Sequence, residues 1–235
     1  MSDNHIIRMK DVSIGFNNNK PLMSSLNLEI YSGEIVAIAG PSGIGKTTML
    51  KTIAGLVPPL NGIVEVCGSI IPKHPPRGSL GYIPQRLGLV RHASVYHNVM
   101  MGALAGHASR WFPYSPEVRR LTLESITLMG IEDKIRTPIR KLSGGQQRRV
   151  ATARTLAQRP SVILADEFLG ELDEETMNSV MFAVKNYIQQ NNATLLVVEH
   201  DIGRAKTLAD RLLLMDDGRL NPFITDPIVM EVKQS

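Results

Sequence analysis

Two glycine-rich segments roughly a hundred residues apart carry groups that can hold a phosphate. The first is Gly40-Pro41-Ser42-Gly43-Ile44-Gly45-Lys46-Thr47, followed by Thr48. It has glycine, four residues and then Gly-Lys-Thr, the pattern of a P-loop. Gly40, Gly43 and Gly45 let backbone N–H groups approach phosphate oxygens without a Cβ in the way. Lys46 would reach the β- and γ-phosphates of ATP, and the Thr47 hydroxyl would ligate Mg²⁺. The second segment, Leu142-Ser143-Gly144-Gly145-Gln146, opens a helical stretch. The Ser143 hydroxyl, the glycine N–H groups and the helix dipole would make another anion site, the size of a γ-phosphate. The same residues also read as a serine N-cap with glycines in a turn. A chain with one nucleotide loop and a spare cradle points to a second copy that fills the spare, and so to a dimerising ATPase.

Two acids end an apolar run at Ser161-Val162-Ile163-Leu164-Ala165-Asp166-Glu167. Ligands of a parallel α/β sheet bind at the carboxyl ends of its strands, which brings Asp166 beside the P-loop. Asp166 would hold Mg²⁺, and Glu167 would polarise the attacking water as a general base. The alternative is an ordinary strand exit with exposed acids. A second run, Leu195-Leu196-Val197-Val198, ends in Glu199-His200-Asp201 and puts His200 on the same edge. There an imidazole can donate to a γ-phosphate oxygen, whereas a lone histidine is commonly structural.

The elements that must position these groups are legible from pattern. Glu34 to Ala39 reads as a buried strand before the first loop. After it, Met49, Leu50 and Ile53 share one helical face; Gly55 and Pro58-Pro59 stop the helix. Gln146 to Gln158 reads as a helix that ends before Arg159-Pro160. Residues 1–84 otherwise read as strands and turns, 86–158 as mainly helical, and 161–215 as strand, helix and strand.

Composition sets the bounds. At 235 residues and 43% hydrophobic, the chain can bury a full core. One cysteine, Cys67, excludes an internal disulfide and suits a reducing cytosol. No apolar run reaches membrane-span length, and Met1 to His5 has no secretory pattern. The short tail after Gly218 leaves no room for an appended regulatory domain. Net charge is +4 and the pI about 9.3. The excess gathers in Arg136 to Arg159, which reads as a face for nucleic acid, an anionic membrane surface or phosphate ligands, or as a solvated helix face.

Together these motifs resemble the ABC-type ATPases over nearly the whole chain. Leu142 to Gln146 looks like that family's signature, Tyr82-Ile83-Pro84-Gln85 like its Q-loop, and Gly170-Glu171-Leu172-Asp173 like its D-loop. The resemblance implies an α/β fold: a P-loop NTPase (RecA-like) core, an N-terminal antiparallel β-subdomain and an inserted α-helical subdomain. It implies one domain over 1–235, with 1–85 and 156–235 as core and β-subdomain and 86–155 as helical subdomain. It makes Gln85 a contact of Mg²⁺ or water and places Gln85 and His200 with Glu167 in catalysis. Phe16 sits where the family stacks an aromatic on adenine; otherwise it is a core phenylalanine. Two subunits of the family close head-to-tail, Ser143, Gly144, Gly145 and Gln146 of each capping the other's ATP. Three positions depart from the usual pattern: Phe168 replaces a proline, Gly170 a serine, and Thr47 a serine with the same oxygen.

An ABC ATPase without a membrane span resembles the separate subunit of a prokaryotic importer. That implies a second ATPase copy, integral-membrane permease subunits, a solute-binding protein, no nucleic acid, and a place on the cytoplasmic face of the membrane. The segment Arg110-Trp111-Phe112-Pro113-Tyr114 is either a partner-facing loop or an aromatic plug. Asn98 to Leu104 with Trp111 looks most like phosphonate-type importers. The 39 positions from Lys46 to Gln85 look more like metal-ion importers. The alternatives are a soluble ABC ATPase acting on nucleic acid or the ribosome, the ATPase of a metal-ion or export system, and a small P-loop kinase. The kinase would need neither the second cradle nor Glu167.

Overall fold

The structure, a computed structural model, describes residues 5–17, 20–107, 114–170 and 172–223. Two sheets share the chain. The first is antiparallel, in the order β2(Met23–Tyr31), β1(His5–Ile14), β4(Asn61–Val66), β5(Ser69–Ile70). The second runs β10(Arg219–Pro222), β9(Arg211–Asp216), β3(Ile35–Ala39), β8(Thr194–Glu199), β7(Val162–Asp166), β6(Leu80–Ile83). Pairing in this sheet is parallel except for β10 against β9. The chain is therefore α/β, with an antiparallel sheet at its N-terminal end and helices inserted between β6 and β7.

Strands β3, β7 and β8 are buried at every position, as the continuous apolar runs of a sheet covered on both faces require. One face packs on α1(Lys46–Ile53) and the antiparallel sheet, where Met49, Leu50 and Ile53 are fully buried. Helix α1 stops as the sequence predicts. Ala54 is its C-cap, and Gly55 takes the left-handed conformation at φ 71°. The other face packs on α4(Gly144–Ala157), α5(Glu174–Asn191) and α6(Ile202–Leu208), with α2(Val95–His107) and α3(Pro116–Leu128) beyond. Phe168 explains itself here. It is 1% exposed in the larger core, so the ring fills space where proline would leave a void.

Local chemistry sets where helices begin. Ser115 caps α3 with Pro116 in its first turn, and Asp173 caps α5 by accepting from the Thr176 amide at 2.8 Å. That bond and the Thr176 side chain hold the Asp173 carboxyl below its usual range. Asp173, expected in the D-loop, is thus first a helix cap. Glu171 and Arg110 to Pro113 lie outside the described residues, while Tyr114 is exposed.

Helix α2 meets α4 backbone to backbone. A Cβ at Gly102 would overlap the Arg154 carbonyl, and one at Gly106 the Gln158 carbonyl. Only hydrogen fits at either position. Gly102→Ala should therefore force the helices apart and cost about 1–3 kcal/mol, even though alanine favours helix. A urea midpoint equal to that of the parent chain would exclude this tight seam.

Candidate active site

The P-loop joins β3 to α1, so its amides and the start of α1 face the carboxyl end of the sheet. Lys46 is 5% exposed, and its ammonium donates to the carbonyls of Gly40 at 2.6 Å and Pro41 at 2.8 Å. Burial lowers its pKa, while Glu167, Asp166 and Glu199 push it back up. Gly43 and Gly45 have φ of 82° and 118°, where a side chain would be strained. Gly40 has a different reason from the one the motif suggests. A Cβ there would strike the Met215 carbonyl, so it allows the loop to pass against β9.

The two acids at the end of β7 take different partners. Asp166 is 2% exposed, and the Thr47 hydroxyl donates to its Oδ1 at 3.1 Å. Burial raises its pKa; the Thr47 bond opposes the rise and Glu167 adds to it. Tyr82, which sequence reasoning passed over in favour of Gln85, donates to Asp166 Oδ2 at 3.5 Å. Burial and Asp166 push the Tyr82 phenol up to about 12, so it remains a donor. Glu167 turns out of the strand with φ 47°, and the Gln85 amide donates to its Oε2 at 2.8 Å. The strained backbone aims Glu167 at Gln85, a geometry that strand spacing alone does not predict.

These groups converge on a cleft of about 340 Å³ lined by Phe16, Leu22, Ser42, Gly43, Gly45, Lys46, Thr47, Thr48, Gln85 and Glu167. Phe16 is 81% exposed at its edge, which removes the core-phenylalanine alternative. Ser143, Gly144, Gly145 and Gln146 do not line that cleft. Gly144 lines a second one, of about 900 Å³, with Gln147, Arg148, Gly170 and His200. Gln85 and Glu167 stand between the two and border both.

The spare cradle is also a helix cap. Ser143 Oγ accepts from the Gln146 amide at 3.3 Å, and the Gln146 side chain accepts from the Ser143 amide at 3.1 Å. This reciprocal box satisfies the start of α4 while leaving Ser143 and Gly144 exposed. The N-cap reading of the segment is therefore the one seen directly. His200 is exposed just before α6, with Asp201 capping that helix through the Arg204 amide at 2.6 Å.

The ABC transporter family pattern matches residues 23–170. The chain belongs to the ABC transporter family. This ABC ATPase is 34% identical over 220 residues to the phosphonates import ATP-binding protein PhnC of Thiobacillus denitrificans, covering 91% of the chain and 85% of that protein. It is 35% identical to the spermidine/putrescine import ATP-binding protein PotA of Thermobifida fusca over 89% of the chain, but spans only 53% of that protein. Among solved structures it superposes on the ATP-binding cassette MJ0796, a dimer bound to ADP and Pi. The TM-score is 0.81 at 30% identity, covering 91% of this chain and 96% of that one. Together these make it an ATP-binding and ATP-hydrolysing enzyme.

In this ABC ATPase the basic run 136–159 divides between the surface and the interior. Arg140 and Lys141 are exposed. Arg154 instead turns inward and donates to the carbonyls of Gly88 at 2.7 Å and Leu87 at 2.6 Å, tying the segment after Gln85 to α4. Arg148 is 8% exposed and donates to the carbonyls of Glu167 at 3.2 Å and Phe168 at 3.4 Å. Their spacing along α4 carries no signal for this, because the acceptors are loop carbonyls far along the chain.

Glu199 is the other residue that the sequence reading passed over. It is fully buried, and burial pushes its carboxyl up to about 7; Arg204 and Arg148 pull against the rise while Glu167 and Asp201 add to it. The folded chain then holds a proton that the unfolded chain releases near 4.5. Its contribution to stability is complete below that pH and is lost as pH rises through about 7. The loss is on the order of 3 kcal/mol. Glu199→Gln should flatten this fall, measured by urea unfolding at pH 5 and pH 8; an unchanged slope would reassign the burial effect.

Among the described residues no helix is long and apolar enough to cross a membrane.

Proposed function

We propose that this ABC ATPase is the energising subunit of a prokaryotic importer and works as a head-to-tail dimer. The observation that carries the reading is the convergence of Thr47, Asp166, Gln85 and Glu167 on the P-loop cleft, with the Ser143 cradle exposed elsewhere. Lys46 and the loop amides bind the phosphates, Phe16 stacks on the base, and residues 143–146 cap the nucleotide of the opposite copy. Glu167 accepts the proton of the attacking water, Gln85 orients that carboxylate, and His200 donates to the γ-phosphate.

The Thr47 hydroxyl and Asp166 carboxylate, already in contact, are hard oxygen donors suited to Mg²⁺. Among the described residues no cluster of three His, Cys, Asp or Glu side chains forms a closed metal cage. Two protein oxygens leave the remaining positions to phosphate and water, as Mg²⁺ prefers. Bound there, the ion supplies neutralisation of charge on the β- and γ-oxygens.

Residues 86–155 form the helical subdomain in this reading and present the permease-docking side, on the cytoplasmic face of the membrane. The cargo is phosphonate or a related oxyanion. The match over 85% of the phosphonate subunit, against 53% of the polyamine one, supports that choice. A solute-binding protein completes the system.

The test is the dependence of Mg-ATP hydrolysis on protein concentration. Two half-sites per reaction centre predict a specific activity that rises with concentration and then saturates. A specific activity constant from nanomolar to micromolar protein would overturn the shared site.

A further inference from the structure

We infer that Arg154 of α4 is a positioning residue for hydrolysis: its guanidinium holds the turn after Gln85 and so fixes Gln85 against Glu167. The inference rests on the reading above, in which Glu167 accepts the proton of the attacking water and Gln85 orients that carboxylate.

Gln85 sits on a short piece of chain with little support of its own. Strand β6 ends at Ile83, which pairs with Ala165 of β7. Beyond it the backbone turns tightly. The Gly88 amide donates to the Arg86 carbonyl, and Gly88 takes the left-handed conformation at φ 59°. The next anchor is Asn98 of α2, which is fully buried. Its side chain accepts from the Val90 amide at 2.8 Å and donates to the Val90 carbonyl at 3.2 Å. Between Gln85 and Leu89, the backbone bonds to another element among the described residues both come from Arg154. Nη1 donates to the Gly88 carbonyl at 2.7 Å and Nη2 to the Leu87 carbonyl at 2.6 Å. A guanidinium carries its donors in a rigid fork, so it sets the spacing and direction of both carbonyls at once.

The arginine is itself held in place. Gly102 of α2 lies so close to α4 that a Cβ there would sit 3.1 Å from Arg154 Cγ, so the stem rests against α2. Burial pulls the Arg154 pKa down, with no carboxylate opposing it among the described residues. A cation partly stripped of water is costly, and here its hydrogen bonds go to a loop beside the reacting groups.

From the clamp to the chemistry is a short step. Leu87 lies two positions from Gln85, whose amide donates to Glu167 Oε2 at 2.8 Å. Helix α4 also starts at the Ser143 cap. One rigid helix therefore carries both that segment and the anchor of Gln85.

The experiment uses the full chain with Mg-ATP and the variants Arg154→Met, Arg154→Lys, Gln85→Ala and Glu167→Gln. Each Arg154 change is also made together with Gln85→Ala. Arg154→Met keeps the stem and removes the donors; it should lower kcat about tenfold with the KM for ATP within about twofold. Arg154→Lys keeps the charge without the fork and should recover part of kcat. Added to Gln85→Ala, either change should cost little more than Gln85→Ala alone, whereas a merely structural loss would multiply. A parental kcat in Arg154→Met, or the same fold loss with and without Gln85, overturns the inference while an inactive Glu167→Gln leaves the Glu167 reading standing. If Arg154→Met does not fold, Arg154→Lys decides by the same two outcomes. A parental kcat in Gln85→Ala, or an active Glu167→Gln, sinks that reading and this inference with it.

Discussion

Glu167→Gln should bind ATP, close into a dimer and stay closed. The amide has the shape of the carboxylate, and its oxygen can still accept from Gln85, now at 2.8 Å from Glu167 Oε2. The left-handed turn and its support from Arg148 are backbone features that the substitution leaves alone. What disappears is the base. Loss of general-base catalysis lowers the rate about 10²–10⁴-fold, so hydrolysis no longer reopens the dimer. Size exclusion in Mg-ATP should move the variant from monomer to dimer, while the parent chain, turning over, elutes mainly as monomer. A variant that remains monomeric at saturating Mg-ATP would count against the capping role of residues 143–146.

Lys46→Ala should abolish hydrolysis by a different route. The Lys46 ammonium is the point charge in the P-loop cleft, and it now donates to the Gly40 and Pro41 carbonyls. With ATP present the same donors transfer to phosphate oxygens, where charge grows during the reaction. Removing a preorganised cation from such a position costs about 10³-fold or more. Stability should change little, because desolvation already lowers the Lys46 pKa and the buried charge is itself costly. The combination to look for is a normal thermal midpoint, weakened nucleotide binding and no phosphate release. Full activity would remove the P-loop assignment.

The contrast between the variants separates binding from chemistry. Loss of Lys46 should prevent dimer closure, whereas loss of the Glu167 carboxylate should lock it. One assay of oligomeric state therefore tests both halves of the proposed shared site.

Much of this site is legible in the sequence because its parts are local. Gly40 to Thr47 needs only a strand before it and a helix after it, and both are marked by residues within one turn. Asp166 and Glu167 end a buried run, and strand ends of a parallel sheet share one edge. The cap at Ser143 is equally local, since its partners lie within three residues. Where the reading was thinner, the partner lay far along the chain. Gly40 was understood as room for phosphate, but its near neighbour is Met215. Phe168 stood out as a departure from the usual pattern, and only the packed core gives it a role. Arg154 belonged to a basic run until its guanidinium was placed on the carbonyls of Leu87 and Gly88.

By itself the sequence determined the P-loop with its flanking strand and helix, the cap at Ser143, the order of acids and histidine, and the α/β fold that carries them. Hydrogen-bonding groups within a few residues of one another, and apolar spacing at the helix or strand period, suffice for that. Only the tertiary structure decided that Tyr82 backs Asp166, that Gln85 holds Glu167, and that Glu199 is fully buried at the end of β8. Each of these depends on which strands become neighbours and on which face a side chain emerges. Burial and long-range pairing set both, and local spacing does not record them.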